Sequence, residues 1–208
     1  MKIIADTHFG HTNILLYEPI RIQKARMEGY EDFDEFLIDW LNLYINENEE
    51  ILHLGDVAFK EGYKLVEKLN GKFTLIKGNH DKQKHLNFYK NLGWKIIDTQ
   101  YFEDTPLFKY DKRIYNYLKK FGEKALNNTA CLIKKIKGKK ILFSHYPVFN
   151  DNSYDKIKYK KNQELLQYLY QQFSCDINIH GHTHSYVVND KRCINACLEI
   201  NDFKPIKI

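Results

Sequence analysis

Five short apolar runs along the chain each stop on a polar cluster. Lys2-Ile3-Ile4-Ala5 ends in Asp6-Thr7-His8, and Ile51-Leu52-His53-Leu54 ends in Gly55-Asp56. Phe73 to Lys77 runs into Gly78-Asn79-His80-Asp81, and Ile141-Leu142-Phe143 into Ser144-His145-Tyr146-Pro147. Ile177-Asn178-Ile179 leads into His180-Gly181-His182-Thr183-His184. Runs this short and apolar predict buried strands with a polar payload at the C-terminal end. Open α/β sheets bind ligands just beyond those ends, so the five clusters are candidates for one shared site.

Between the runs the period changes. Phe33, Phe36, Leu37, Trp40, Leu41 and Tyr44 recur at helical spacing and predict an amphipathic helix over 34–46. Glu61 to Leu69 predicts a second helix, stopped by Asn70-Gly71. Strand, payload and helix thus alternate through the first 80 residues, the pattern of a βαβ layered fold. Residues 9–32, with Gly10, Pro19 and Gly29 and no sustained periodicity, read as a long functional loop with a short helix at most.

Further on, Trp94 to Ile97 predicts a strand, with another extended piece near Tyr101. Tyr110 to Lys124 predicts a basic helix, and Thr129 to Lys140 an extended pair turning at Lys137-Gly138. Glu164 to Phe173 predicts a helix, and 186–189 and 193–196 two last strands. No repeat, low-complexity stretch or linker divides the chain, so 1–208 reads as one domain, with 105–138 as a small cap or insert.

Composition narrows the class. A chain of 208 residues, 43% hydrophobic and 28% charged, can bury a full core. A net charge of +5 is too mild to announce a nucleic-acid partner by itself. Cys131, Cys175, Cys193 and Cys197 form no C-x-x-C pair and read as reduced thiols of a cytoplasmic protein. Asp6 and His8 interrupt the N-terminal apolar run, so no signal peptide is expected. No stretch approaches the roughly 20 apolar residues that span a membrane.

The payloads supply carboxylates, imidazoles and an amide oxygen, donors suited to divalent metals. Glycine precedes Asp56, Asn79 and His182, which lets the backbone turn sharply and come close to a site. Taken singly, Asp6 could cap a turn, Asn79 could sit in one, and His145 could be a core histidine. The ordered set is what points to a metal centre. His53 and His85 fall inside a strand and a helix and read as structural.

The order D-x-H, G-D, G-N-H-D, H, G-H-x-H resembles that of the calcineurin-like metallophosphoesterases, from Asp6 to His184 and with every position filled. The resemblance implies an α/β fold: a two-sheet β-sandwich flanked by helices, with a dinuclear metal site at the strand ends. It implies a metal-dependent phosphoric ester hydrolase acting on a phosphodiester or phosphomonoester, a nucleotide among the possible substrates. Asp6, His8, Asp56 and His184 would hold one ion, and Asp56, Asn79, His145 and His182 the other, with Asp56 bridging. Such a carboxylate sets two cations about 3.5–4 Å apart, and a hydroxide shared between them would be the nucleophile. His80 would assist the leaving group, oriented by Asp81. Manganese is the expected metal, with iron, zinc and nickel as alternatives, because mixed N/O sites select weakly.

One departure follows the first motif. Phe9-Gly10-His11-Thr12-Asn13 is similar to a subgroup of small microbial phosphohydrolases. His11 and Asn13 either reach the substrate phosphate or cap and shape the loop.

Between Lys109 and Lys140 stand eleven Lys or Arg residues and two acidic ones, interleaved with Tyr110, Tyr115, Tyr117 and Phe121. This segment could hold a single-stranded nucleic acid, draw small anions to the metals, or be a solvated face in a lysine-rich chain. A nuclease acting on DNA or RNA is therefore the alternative enzyme, although the family's larger nucleases carry extra DNA-binding domains. A non-catalytic scaffold is disfavoured because such relatives lose ligands and this chain has lost none. Motif order speaks against β-lactamase-like and amidohydrolase metal folds.

Overall fold

The computed structural model describes residues 1–150, 152 and 157–208. Its first half is a parallel sheet built by the predicted alternation. Strands β1 (Lys2–Ile4), β2 (Glu50–His53), β3 (Lys72–Ile76) and β4 (Lys95–Ile97) lie side by side in chain order. Ile3 pairs Leu52, Leu52 pairs Thr74, and Leu75 pairs Ile96. A last strand, Ile206–Lys207, adds antiparallel to the outer edge of β1.

The second sheet is mixed. Its strands are β5 (Gln100–Phe102), β6 (Thr105–Pro106), β7 (Cys131–Ile136), β8 (Lys139–Ser144), β9 (Ile177–His180) and β10 (Cys193–Asn195). Their spatial order is β10-β9-β8-β7-β5-β6, which makes Ile206–Lys207 β11 in chain order. Lys137 and Gly138, both left-handed, close the β7–β8 hairpin, the conformation a two-residue turn requires.

The two sheets face each other. Ile3, Leu52, Leu54 and Ile76 of the first pack with Leu132, Phe143 and Ile179 of the second in one buried cluster. The α/β two-sheet architecture flanked by helices is therefore the one expected. Helix α3 (Phe33–Tyr44) covers the outer face of the first sheet through Phe33, Phe36, Leu37 and Leu41. Asp32 caps it, accepting from the Glu35 N–H at 2.9 Å. Helix α4 (Gln83–Asn91) joins the same layer, while α8 (Lys160–Gln172) covers the second sheet through Leu165, Leu166 and Leu169.

Four expectations change. The loop read over 9–32 contains two helices, α1 (Ile14–Tyr17) and α2 (Ile20–Met27). Their apolar period is missing because α2 buries Arg21 and Ala25 and leaves Ile20 and Met27 in solvent. The helix expected over 61–69 is 3-10, Lys60–Lys68.

The basic helix expected over 110–124 is broken into α5 (Leu107–Tyr110), α6 (Lys112–Leu118), a turn, and α7 (Glu123–Asn128). Asp111 stops one piece and caps the next, and Gly122 takes a left-handed φ of 92° between the last two. Leu107, Leu118 and Leu126 pin these pieces into the cluster formed by α8 and the second sheet.

Residues 186–189 form no strand. The Asn195 amide donates to the His184 and Tyr186 carbonyls and holds the segment as a loop. Among the described residues, no helix is long and apolar enough to cross a membrane.

Candidate metal centre

The payloads of β1, β2 and β3 leave one end of the first sheet and meet those of β8 and β9. Asp6, His8, Asp56, His182 and His184 all have positive φ, between 48° and 72°. Left-handed backbone at a non-glycine residue costs free energy and persists where the surroundings impose it, characteristically at functional sites. The turns that create it also aim the side chains. The Asp6 N–H donates to the Gly55 carbonyl and the His8 N–H to the Asp56 carbonyl, so the first two payloads are laced together.

Two glycines are required by space. A Cβ on Gly78 would lie 2.3 Å from Asp56 Oδ1, and one on Gly181 would lie 2.4 Å from Asp6 Oδ2. Backbone comes this close only where a side chain is absent.

Asp56 stands between the two halves of the site. Its Oδ2 lies 3.9 Å from His8 Nε2 on one side and 3.5 Å from His145 Nε2 on the other. Its Oδ1 accepts from the His80 N–H at 2.8 Å. Asp6 Oδ1 is 3.5 Å from His8 Nε2 and 3.9 Å from His184 Nε2. His145 Nε2 lies 2.9 Å from Asn79 Oδ1 and 3.3 Å from His182 Nδ1. All seven expected ligands are thus gathered in one place.

The electrostatics fit a divalent cation. Asp6 Oδ1 and His8 Nε2 are buried and have no hydrogen-bond partner among the described residues, a costly state that a metal ion between them would relieve. Asp6, His8 and His184 each offer a ligand atom within 4.8 Å of the others, as do Asp6, Asp56 and His145. Burial opposes ionisation of Asp6, yet the nearby imidazoles of His8, His145 and His184 hold the carboxyl well below the usual range. Asp56 is pushed well above that range by burial and then by the Asp6 and Asp81 charges. Two adjacent carboxylates ionise together only with added positive charge. Burial lowers His8 to about 4 and His145 to about 3, keeping both neutral at pH 7, the form that ligates.

His80 differs from its neighbours. Its side chain is 48% exposed, against 3% for His8 and 1% for His145. Burial, with His11 beside it, lowers its pKa. Phe59 packs against the His80 ring at 4.8 Å and stacks flat on His11 at 3.8 Å. Across the site, Tyr146 and Tyr159 meet the His182 ring edge-on at 4.7 and 4.9 Å.

Asp81 is not placed to orient His80. Its two oxygens accept the N–H groups of Asp56, Val57 and Gly78 at 2.8 to 3.0 Å, so the carboxylate fixes the turns of β2 and β3. His11 is in the site, 3.3 Å from His8 through the Nδ1 atoms. Asn13 is exposed at the start of α1, and its side chain makes no cap bond. His53 is structural, held between the Thr7 hydroxyl and the Gly55 N–H. His85 is buried and stacks on Tyr63.

Comparison with known proteins gives the class. The family model for calcineurin-like phosphoesterases matches residues 2–186. The chain belongs to that family. Membership supports metal-dependent hydrolysis of phosphate esters, and the gathered ligands agree with it. A crystal structure of a protein of unknown function from Aquifex aeolicus superposes on this calcineurin-like phosphoesterase with a TM-score of 0.69. It is 28% identical, over 99% of this chain and 94% of that one. An archaeal phosphodiesterase is 19% identical, with a TM-score of 0.42 over 93% and 81% of the two chains. An uncharacterised protein of Methanocaldococcus jannaschii is 33% identical over 85 residues, which are 38% of this chain. The match spans about half the length of that relative, 46%.

Two residues of the site escaped the sequence reading. Arg21 is completely buried and donates to the Asp6 and Thr7 carbonyls and to Glu199. Glu199 in turn lies 2.9 Å from His184 Nδ1. The usable signal is a charged residue at the inward position of an otherwise aperiodic helix, since a buried arginine requires a partner.

Proposed function

We propose that the chain hydrolyses phosphate esters at a two-cation centre, with Asp6, His8, Asp56 and His184 on one side and Asp56, Asn79, His145 and His182 on the other. The observation that carries this reading is Asp56 Oδ2, which has an imidazole nitrogen of each side within 4 Å. Two divalent cations bound there, manganese first among them, would polarise phosphoryl oxygens and lower the pKa of bound water toward neutrality.

The chain's own residues supply the rest. Neutral His8 and His145 offer nitrogen lone pairs without first losing a proton. The amide oxygen of Asn79 would ligate without adding charge. His80, the exposed member of the set, would donate a hydrogen bond or proton to the leaving-group oxygen. Asp81 acts through the backbone, keeping the Asp56 and Gly78 turns in register. His11, stacked on Phe59 beside His80, would donate to a phosphate oxygen.

The test is turnover of a generic phosphodiester and its matching monoester by metal-stripped protein refilled with manganese. Metal-dependent hydrolysis of either supports the reading. Two bound ions with no turnover of any phosphate ester would contradict it.

A further inference from the structure

The C-terminal segment after β10 lies outside the residues matched by the family model, yet it passes directly behind the metal centre. It leaves the second sheet at Asn195 and joins the first at Ile206, crossing between them as a short 3-10 turn, Leu198–Asn201. Two of its side chains touch expected ligands. The Cys197 thiol donates to Asp6 Oδ2 at 3.3 Å. The same oxygen accepts the His182 N–H at 2.8 Å, so Oδ1 is the Asp6 oxygen left to face a cation.

The second side chain is Glu199. Its Oε1 accepts two bonds from the Arg21 guanidinium, at 2.6 and 2.8 Å, and lies 2.9 Å from His184 Nδ1. Arg21 reaches past it to the carbonyls of Asp6 and Thr7, at 2.6 and 3.0 Å. One buried guanidinium therefore holds both the left-handed turn carrying Asp6 and the carboxylate behind His184. A carboxylate at Nδ1 requires that nitrogen to carry the proton, which leaves the Nε2 lone pair free for a metal.

We propose that Glu199, held in place by Arg21, is a positioning residue that fixes the tautomer and aim of His184, and so sets cation affinity on the Asp6, His8 and His184 side alone. The inference rests on the two-cation reading. Glu18, His184 and Glu199 also offer ligand atoms within 4.8 Å of one another, but Arg21 already supplies the positive charge there.

The experiment is a calorimetric Mn2+ titration of the metal-free protein, compared with the double variant Arg21→Met with Glu199→Leu. That variant leaves no unpaired charge in the core, and its thermal unfolding is recorded alongside. Wild type is expected to bind two ions. The variant should keep one at wild-type affinity and bind the other on the order of 10–100-fold more weakly, the usual cost of losing a partner behind a ligand. Arg21→Met with Glu199→Gln, which restores an acceptor for Nδ1–H, should recover part of that loss. Two ions bound at wild-type affinity by the leucine variant would overturn the proposal, and so would equal weakening of both. Nitrogen NMR of metal-free wild type at a pH where His184 is neutral gives an answer that needs no variant. The Nδ1–H tautomer is expected, and the Nε2–H tautomer would overturn the proposal. Wild type that binds no manganese would instead bring down the two-cation reading itself.

Discussion

Asp56 carries the site at the scale of single residues, and its surroundings tolerate little change. Gly78→Ala would drive a methyl group into the Asp56 carboxylate, against an atom 2.3 Å away. Overpacking of this kind costs about 1–3 kcal/mol. We expect weaker metal uptake together with a lowered midpoint in urea, and an unchanged midpoint would contradict the close packing. His80→Ala should lower kcat by roughly 10²–10⁴-fold, the usual worth of a positioned acid, and leave metal stoichiometry intact. Loss of the ions in that variant would make His80 a ligand instead.

Asp34 offers a pH test. Burial raises its carboxyl to about 6, against the hydrogen bond it accepts from the Gly10 N–H. A folded-state pKa above the unfolded value, about 3.9, makes its stabilising share complete below that value. The share is then lost as pH rises through about 6. Asp34→Asn keeps the acceptor and removes the titration, so its melting temperature relative to wild type should rise between pH 4 and pH 7. A constant difference across that window would refute the assignment. The candidate ligands were legible in the sequence because each follows an apolar run and several follow a glycine. Glu199 and Arg21 were not, since their meaning lies in a contact 178 residues apart along the chain.

At the scale of elements, α3 could be read from its period and most strands from their apolar runs, whereas the two-residue β6 and β11 carry no such pattern. Phe143, in the apolar run of β8, is completely buried between the sheets. Phe143→Ala should cost about 3–5 kcal/mol in denaturant unfolding, and a loss below 1 kcal/mol would mean the sheets do not pack there as described. Helix α2 was hidden for the opposite reason, its inward residue being Arg21. Period also failed over 107–128, where Asp111 and Gly122 break one basic stretch into pieces that Leu107, Leu118 and Leu126 anchor on the second sheet. For residues 186–189, local composition suggested a strand, but the Asn195 side chain takes carbonyls a neighbouring strand would need. Such competition is invisible without the tertiary contact.

For the whole molecule, the two sheets matter because each contributes part of the candidate ligand set. Asp6, His8, Asp56 and Asn79 come from the first, and His145, His182 and His184 from the second. The contact between the halves is direct, since His145 Nδ1 lies 2.9 Å from the Leu54 carbonyl. That the sheets stack face to face came from resemblance, since period cannot say which sheet a strand joins. The two-cation centre is tested most directly by diester and monoester turnover by the metal-free protein as manganese is added, with Asp56→Asn in parallel. Turnover should appear as the second equivalent binds, and an Asp56→Asn variant should bind at most one ion tightly and fall at least a hundredfold in rate. Full activity with a single ion, or an Asp56→Asn variant as active as wild type, would contradict a two-cation centre.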